Sequence, residues 1–160
     1  MTLAAFICAR HEERRIGPAI EQLLPYASRL LLLLSRRPWR GGPDADPDRT
    51  GELVARYYPS VEIVRSYWVD ETEQRNDGIS RLAGFDRVFM LDADEYFTEA
   101  GLQHILGIPA GHGVCVPQWT YWKTPDYRYD PIDTWTPIVL LNPRTVHMSA
   151  MRSPSAPELM

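Results

Sequence analysis

At 160 residues, 44% hydrophobic and 24% charged, the chain has the size and composition of one globular domain with a real core, which excludes a disordered chain, a collagen-like fibre and a disulfide-stapled miniprotein. A formal net charge of -4 provides no global positive field, so nucleic acid is not an expected partner. Two cysteines form no disulfide framework, no apolar run approaches the roughly 18 residues of a membrane span, and Met1–Arg10 lacks a basic leader, so a cytoplasmic, reduced, soluble domain is the expectation.

In chain order, short apolar runs alternate with amphipathic stretches. Leu3–Ala9, Leu30–Leu34, Val61–Val64, Val88–Leu91, Val114–Val116 and Ile138–Leu141 each read as a strand buried on both faces. Between the first two, Ile16, Ala19, Ile20, Leu23 and Leu24 recur at helical spacing until Pro25. Thr50 is placed to cap a second helix with Leu53, Val54 and Tyr57 inward, ended by Pro59. Glu71–Ala83 predicts a third helix with Ile79, Leu82 and Ala83 on its apolar side. Thr98 caps a fourth that carries Leu102, Ile105 and Leu106 to Gly107. Prolines cluster in 38–47 and 117–143, so both stretches are expected to be irregular. Strand–helix repeated four times predicts an α/β domain over 1–152, an open, mostly parallel sheet with helices on both faces, followed by a tail at 153–160.

In such sheets ligands bind beyond the carboxyl ends of the strands. The residues there are Arg10–Glu13, Ser35–Gly42, Arg65–Glu71, Asp92–Glu95 and Pro117–Trp122. Neither GxGxxG nor GxxxxGK[ST] occurs, which removes the main support for a dinucleotide fold or a P-loop. Val88–Leu91 instead runs directly into Asp92-Ala93-Asp94-Glu95. Three carboxylates at the mouth of a buried strand repel one another and lose hydration, which is costly unless a cation or donors compensate. Such hard oxygen ligands suit Mg²⁺ or Mn²⁺, which in turn hold a diphosphate. The bland alternative is a turn capped by Asp92 or Asp94 with Glu95 in solvent. A haloacid-dehalogenase-like phosphatase also places D-x-D after a strand, but that strand opens the domain and here it is the fourth, Lys123 is the only lysine, and no later Asp–Asp pair occurs.

Asp92-Ala93-Asp94-Glu95-Tyr96, with Trp68, Arg75–Asn76 and Asp48-Arg49-Thr50 upstream, resembles the metal-binding segment and its surroundings in bacterial, family 2-like glycosyltransferases of the GT-A fold. The resemblance runs from about Leu3 to Arg152. It implies a nucleotide-sugar donor (UDP-, GDP- or dTDP-linked), a sugar or glycan acceptor, Asp94 and Asp92 as ligands of Mg²⁺ or Mn²⁺, and inverting transfer to an acceptor hydroxyl. The family's usual Asn–Glu after the first strand is His11–Glu12 here, and its nucleotide-binding Asp after the second is replaced by Ser35-Arg36-Arg37-Pro38-Trp39-Arg40-Gly41. Donor-binding candidates are therefore His11, Glu12, Trp39, Arg75, Asn76 and Asp92, with Trp39 or an arginine of that segment placed to stack on or bond to a nucleotide. Arg75, a planar fork, is suited to a phosphate or to a carboxylate of the tetrad, the alternative being a solvated helix start.

Six aromatic residues and three aspartates fall within 119–135. Trp119, Trp122 and Tyr127 are candidates for an acceptor wall, because aromatic rings pack on the C–H faces of sugars. The alternative is a satellite hydrophobic cluster. Asp130 and Asp133, together with Asp126, are the candidates for the catalytic base. His147 is similar to the late histidine that supplies a metal ligand in many GT-A enzymes. Cys8 and Cys115, inside predicted strands, read as small apolar core residues. After Leu141 only 19 residues follow, too few for another strand–helix unit and a lid. The expectations are thus a C-terminally short domain, donor binding with slow or no transfer, and self-association through apolar surface near Ile138–Leu141. The rival expectation is a non-catalytic nucleotide-sugar-binding module.

Overall fold

The apolar runs that open the chain build the centre of the molecule. The computed structural model describes residues 1–39, 48–109, 113–119, 121, 136–150 and 153–154. Strand β1 (Leu3–Ala9) lies parallel to β2 (Arg29–Ser35) on one side and to β4 (Arg87–Asp92) on the other, and β2 pairs in parallel with β3 (Glu62–Ser66). Strand β6 (Ile138–Leu141) runs antiparallel to β4, and β5 (Val114–Cys115) antiparallel to β6. The six-stranded order is β3-β2-β1-β4-β6-β5. It reverses direction between β1 and β4, which opens a crevice beyond their carboxyl ends. This is the open, mostly parallel sheet expected from the sequence.

Helices α1 (Ile16–Leu23), α2 (Thr50–Tyr57) and α4 (Glu99–Gly107) bury Ile20, Leu23, Val54, Leu102 and Ile105 against one face, over Ile7, Leu32 and Leu91. Helix α3 (Glu71–Arg81) covers the other face with Ile79 and the following Leu82, beside Phe6, Leu33, Trp68 and Met90. Fully burying one such side chain stabilises by about 1.5–3 kcal/mol, so both faces contribute heavily. Helix α3 lies unusually close to the sheet because Gly78 has no side chain. A Cβ there would come within 2.8 Å of Leu33 and 2.9 Å of Phe6.

Several details depart from expectation. Strand β3 is an edge strand, and all of its residues are at least partly exposed, because among the described residues no strand pairs with its far side. Tyr57, the last residue of α2, and Ala83, which lies beyond the end of α3 at Arg81, are exposed. Thr50 is the first residue of α2 and not its cap, because its hydroxyl is committed to the loop after β1. Cys115 is exposed on the short strand β5. No apolar face is open at Ile138–Leu141, where every residue is buried, because β6 sits between β4 and β5. Ser153–Pro154, expected to open a tail, form β8 and pair with β7 (Met148–Ala150). Among the described residues no helix is long and apolar enough to cross a membrane.

Candidate functional site

A cleft of about 350 Å³ opens at the carboxyl ends of β1, β2 and β4. It is lined by Cys8–Arg10 and Glu12 from the first strand and its loop, by Ser35 and Arg37–Trp39 from the second, by Asp92–Asp94 from the fourth, and by Gln74 from α3. Register explains the assembly: Cys8 stands opposite Leu33 of β2 and opposite Asp92 of β4. The ladder continues one residue into the acidic segment, where Ala93 N–H donates to the Cys8 carbonyl at 3.1 Å.

Helix α3 straddles β1 with two consecutive side chains, both buried. Gln74 Nε2 donates to the Leu33 carbonyl at 2.7 Å, and its Oε1 accepts from Trp39 Nε1 at 2.8 Å. Arg75 Nη2 donates to both oxygens of Asp92, at 2.8 and 2.7 Å, while Nη1 pairs with Glu71. Its side chain is 1% exposed, so this guanidinium is a buried counter-charge for the tetrad rather than part of a solvated helix start. The polar first turns of α3 therefore face inward at Gln74 and Arg75. Asp70 caps the helix, its side chain accepting from Glu73 N–H at 2.8 Å.

The tetrad divides by role. Glu95 turns back on its own segment, where its Oε2 accepts from Asp92 N–H at 2.9 Å. Gln22 of α1 holds the same turn through the Glu95 carbonyl and Phe97 N–H. Asp94 is half-exposed, with Arg15 Nη1 3.5 Å from its carboxylate. Arg15 Nε also pairs with Glu12 at 2.8 Å. Burial pushes the Glu12 carboxyl above its ordinary range. Arg15 works against the rise, and the Asp94 and Asp48 carboxylates add to it.

The loop after β1 is held by the Asp48-x-Thr50 pair. Thr50 Oγ1 accepts from Glu12 N–H at 2.8 Å and donates to Asp48 Oδ2 at 2.8 Å, and Asp48 also accepts from Glu13 N–H at 3.1 Å. Burial alone would raise the Asp48 carboxyl. The hydrogen bonds from Thr50 and Glu13, with the nearby His11, outweigh it and hold the group below its usual range. This latch keeps His11 at φ 58°, among the described residues the one non-glycine in the left-handed region, at a cost of about 1 kcal/mol.

Of the residues singled out from sequence, Glu12, Trp39, Asp92 and Asp94 line the cleft together, and Arg75 supports it from behind. Asn76 is engaged elsewhere: its amide pairs with both backbone groups of Met148, at 2.8 and 2.9 Å, docking β7 on α3. That contact brings the exposed His147 to 3.3 Å from Asn76 Nδ2. Among the described residues no three His, Cys, Asp or Glu side chains converge on one point, so Asp92, Asp94 and His147 do not form a ready-made shell. Trp119 is exposed and is not among the residues lining the cleft. Trp122, Tyr127, Asp126, Asp130 and Asp133 lie outside the described residues. Sequence reading passed over Gln74 and Arg15. Arg15 was hidden in the charge run Arg10–Arg15, where spacing distinguishes no residue from its neighbours.

No protein-family model matches the chain, and no curated protein matches it. Solved structures do. A crystal structure of 4-diphosphocytidyl-2C-methyl-D-erythritol synthase superposes with a TM-score of 0.58 at 13% identity, over 91% of this chain and 77% of that one. A mycobacterial protein superposes with a TM-score of 0.51 at 18% identity, over 72% of this chain and 39% of its own. Glucosyl-3-phosphoglycerate synthase from Mycobacterium tuberculosis, solved with uridine diphosphate, gives 0.46 at 18% identity over 59% of this chain and 34% of that one. At these identities the likeness is one of fold.

Proposed function

We propose that this chain is a glycosyltransferase domain of the GT-A, family 2-like kind, which holds a nucleotide-sugar donor in the cleft and passes the sugar to an acceptor hydroxyl. One observation carries the reading: the buried Arg75 clamps Asp92 through both oxygens at the mouth of β4, beside a half-exposed Asp94 and an open cleft. A generic turn does not bury an arginine to hold its first carboxylate. The arrangement keeps an acidic pair in place at the end of the sheet where ligands bind.

The residues present fit Mg²⁺ or Mn²⁺. Two hard carboxylates beside room for phosphate are a common way of holding magnesium, with phosphate oxygens and water completing the shell. Asp94 would bind the cation directly and Asp92 would orient it or the donor's ribose; a bound cation neutralises charge on the diphosphate leaving group. Arg10 and Arg37, both in the cleft lining, supply positive charge for the diphosphate. Trp39, anchored by Gln74, presents its ring for the base in place of the family's aspartate. His147 meets Asn76, the neighbour of Arg75 on α3, outside the cleft lining. An inverting mechanism follows from the resemblance alone; the aromatic and acidic composition of 119–135 supplies Asp126, Asp130 or Asp133 as the base and Trp119, Trp122 and Tyr127 as the acceptor wall.

A second reading, a module that binds donor without turnover, draws on the guanidinium that each tetrad aspartate already carries, Arg75 on Asp92 and Arg15 on Asp94. A thermal-shift panel of UDP-, GDP- and dTDP-sugars with and without Mn²⁺ tests the donor site. Stabilisation of about 2.7 kcal/mol is expected at a hundredfold excess over Kd, and it disappears in Asp94→Asn. Metal-independent or absent stabilisation sinks the assignment. Stabilisation without sugar transfer or donor hydrolysis selects the binding module.

A further inference from the structure

We infer that Arg15 is an exchangeable counter-ion of the donor site: it pairs with Asp94 while the cleft is empty and transfers its guanidinium to the donor diphosphate when cation and nucleotide enter together. The inference rests on the donor-site reading above and adds a residue that neither the sequence pattern nor the resemblance singles out.

Three observations carry it. The first is position. The Arg15 guanidinium bridges Glu12 at 2.8 Å and Asp94 at 3.5 Å, two carboxylates that line the cleft, from just outside that lining. The second is the contrast with Arg75. That side chain is 1% exposed and reaches both Asp92 oxygens through Nη2, whereas Arg15 and Asp94 are 52% and 54% exposed and meet in a single long contact. A buried clamp of the first kind does not let go; an exposed pair of the second kind is worth about 0.2–1 kcal/mol and is readily replaced. The third is the anchoring of its backbone. Arg15 N–H donates to the Glu12 carbonyl at 2.9 Å, and the Arg15 carbonyl accepts from Tyr96 Oη at 3.2 Å, just beyond the tetrad. With the backbone anchored and Nε held by Glu12, the Nη end can turn from Asp94 toward a diphosphate without moving the loop.

The chemistry favours the exchange. A cation on Asp94 removes the reason for the ion pair. A diphosphate then offers the planar fork two oxygens, a better match than one carboxylate oxygen at 3.5 Å. Cation alone must compete with Arg15, so it binds weakly until the nucleotide gives the guanidinium somewhere to go.

Arg15→Gln separates the two states with opposite signs. In a titration of Mn²⁺ alone, the variant is expected to bind about two- to fivefold more tightly than the wild-type chain. With Mn²⁺ saturating, its affinity for whichever of UDP, GDP or dTDP the wild-type chain binds is expected to fall about tenfold. Arg15→Lys keeps the charge and loses the fork: Mn²⁺ affinity returns to the wild-type value while nucleotide affinity stays reduced. Arg14→Gln removes the same charge one residue away and is expected to change neither. Equal Mn²⁺ affinity in Arg15→Gln and wild type, undiminished nucleotide affinity, or the same pair of shifts in Arg14→Gln overturns the exchange and leaves the donor site standing. A wild-type chain that binds none of the three diphosphates in Mn²⁺ overturns the donor site, and the exchange with it.

Discussion

Arg75 is the side chain on which the tetrad depends most directly. It lies in the interior with Glu71 and Asp92 as its counter-charges, and the desolvation cost of those ions is met only while all three are present. Arg75→Met should therefore destabilise the fold by about 3 kcal/mol, since two carboxylates lose their buried counter-charge. Adding Asp92→Asn should recover part of that loss, because the pair is coupled. Chemical denaturation of the two single variants and the double variant measures this, and simple additivity would show that the contact carries no energy. Arg75→Lys keeps one charge and loses the fork, so it should fold, with weaker donor binding. Gln74 acts on a neighbouring scale: one amide joins the β2 backbone to the Trp39 ring.

The elements carry the site by close approach and by latching. Helix α3 reaches the strand ends because Gly78 lets it rest on Phe6 and Leu33. Gly78→Ala is expected to cost about 1–3 kcal/mol as helix and sheet are forced apart. It should also weaken donor binding by displacing Arg75, one turn earlier on the same helix. An unchanged melting temperature would show that Leu33 and Phe6 yield freely. The latch between α2 and the loop after β1 has a pH signature. The Asp48 carboxyl lies below its reference value of 3.8 in the folded state, so the folded state holds the ionised form in preference. Its stabilisation is present above that reference value and is lost as pH falls through the folded value. Melting temperature should thus fall steeply below about pH 4 in the wild-type chain and less steeply in Asp48→Asn, which starts from a lower value at neutral pH. Parallel acid limbs in the two would remove Asp48 from the latch.

At the scale of the whole molecule, the sheet has one chemical end. Arg10, Glu12, Trp39, Asp92 and Asp94 gather at the carboxyl ends of the strands. At the opposite end of β4, Arg87 is spent on structure: its guanidinium donates to the Leu106 and Ile105 carbonyls at the end of α4, and burial lowers its affinity for its proton. Donor with Mn²⁺ should slow amide hydrogen exchange at 10–13, 35–39 and 92–95 and leave 1–4 and 84–88 unchanged. Protection at both ends would indicate general stiffening of the sheet and no local site. The same asymmetry accounts for β6. As an interior strand it has no apolar face left for self-association, so a partner would have to use another surface.

The alternation of buried runs with amphipathic stretches was sufficient for the architecture. Runs such as Leu3–Ala9 are too short and too apolar to be surface helices, and right-handed crossovers leave few ways to order four strand–helix units. The tetrad was also legible, because three carboxylates directly after a buried strand need compensation wherever the strand lies. Which groups supply that compensation was not legible. Arg75 faces inward because Gly78 lowers α3 onto the sheet, and that depth is invisible to a periodicity count dominated by the polar Asp70–Asp77. Asn76, next to it, faces β7 instead, since adjacent helix positions are about 100° apart and meet different neighbours. Arg15 reaches Asp94 across some eighty residues only because β1 and β4 are neighbours in the sheet. Local sequence determined the strands, the helices and the acidic turn. Which charge meets which was decided by the order of the strands and the depth of one helix, because ion pairing depends on distances that exist only once the sheet has closed.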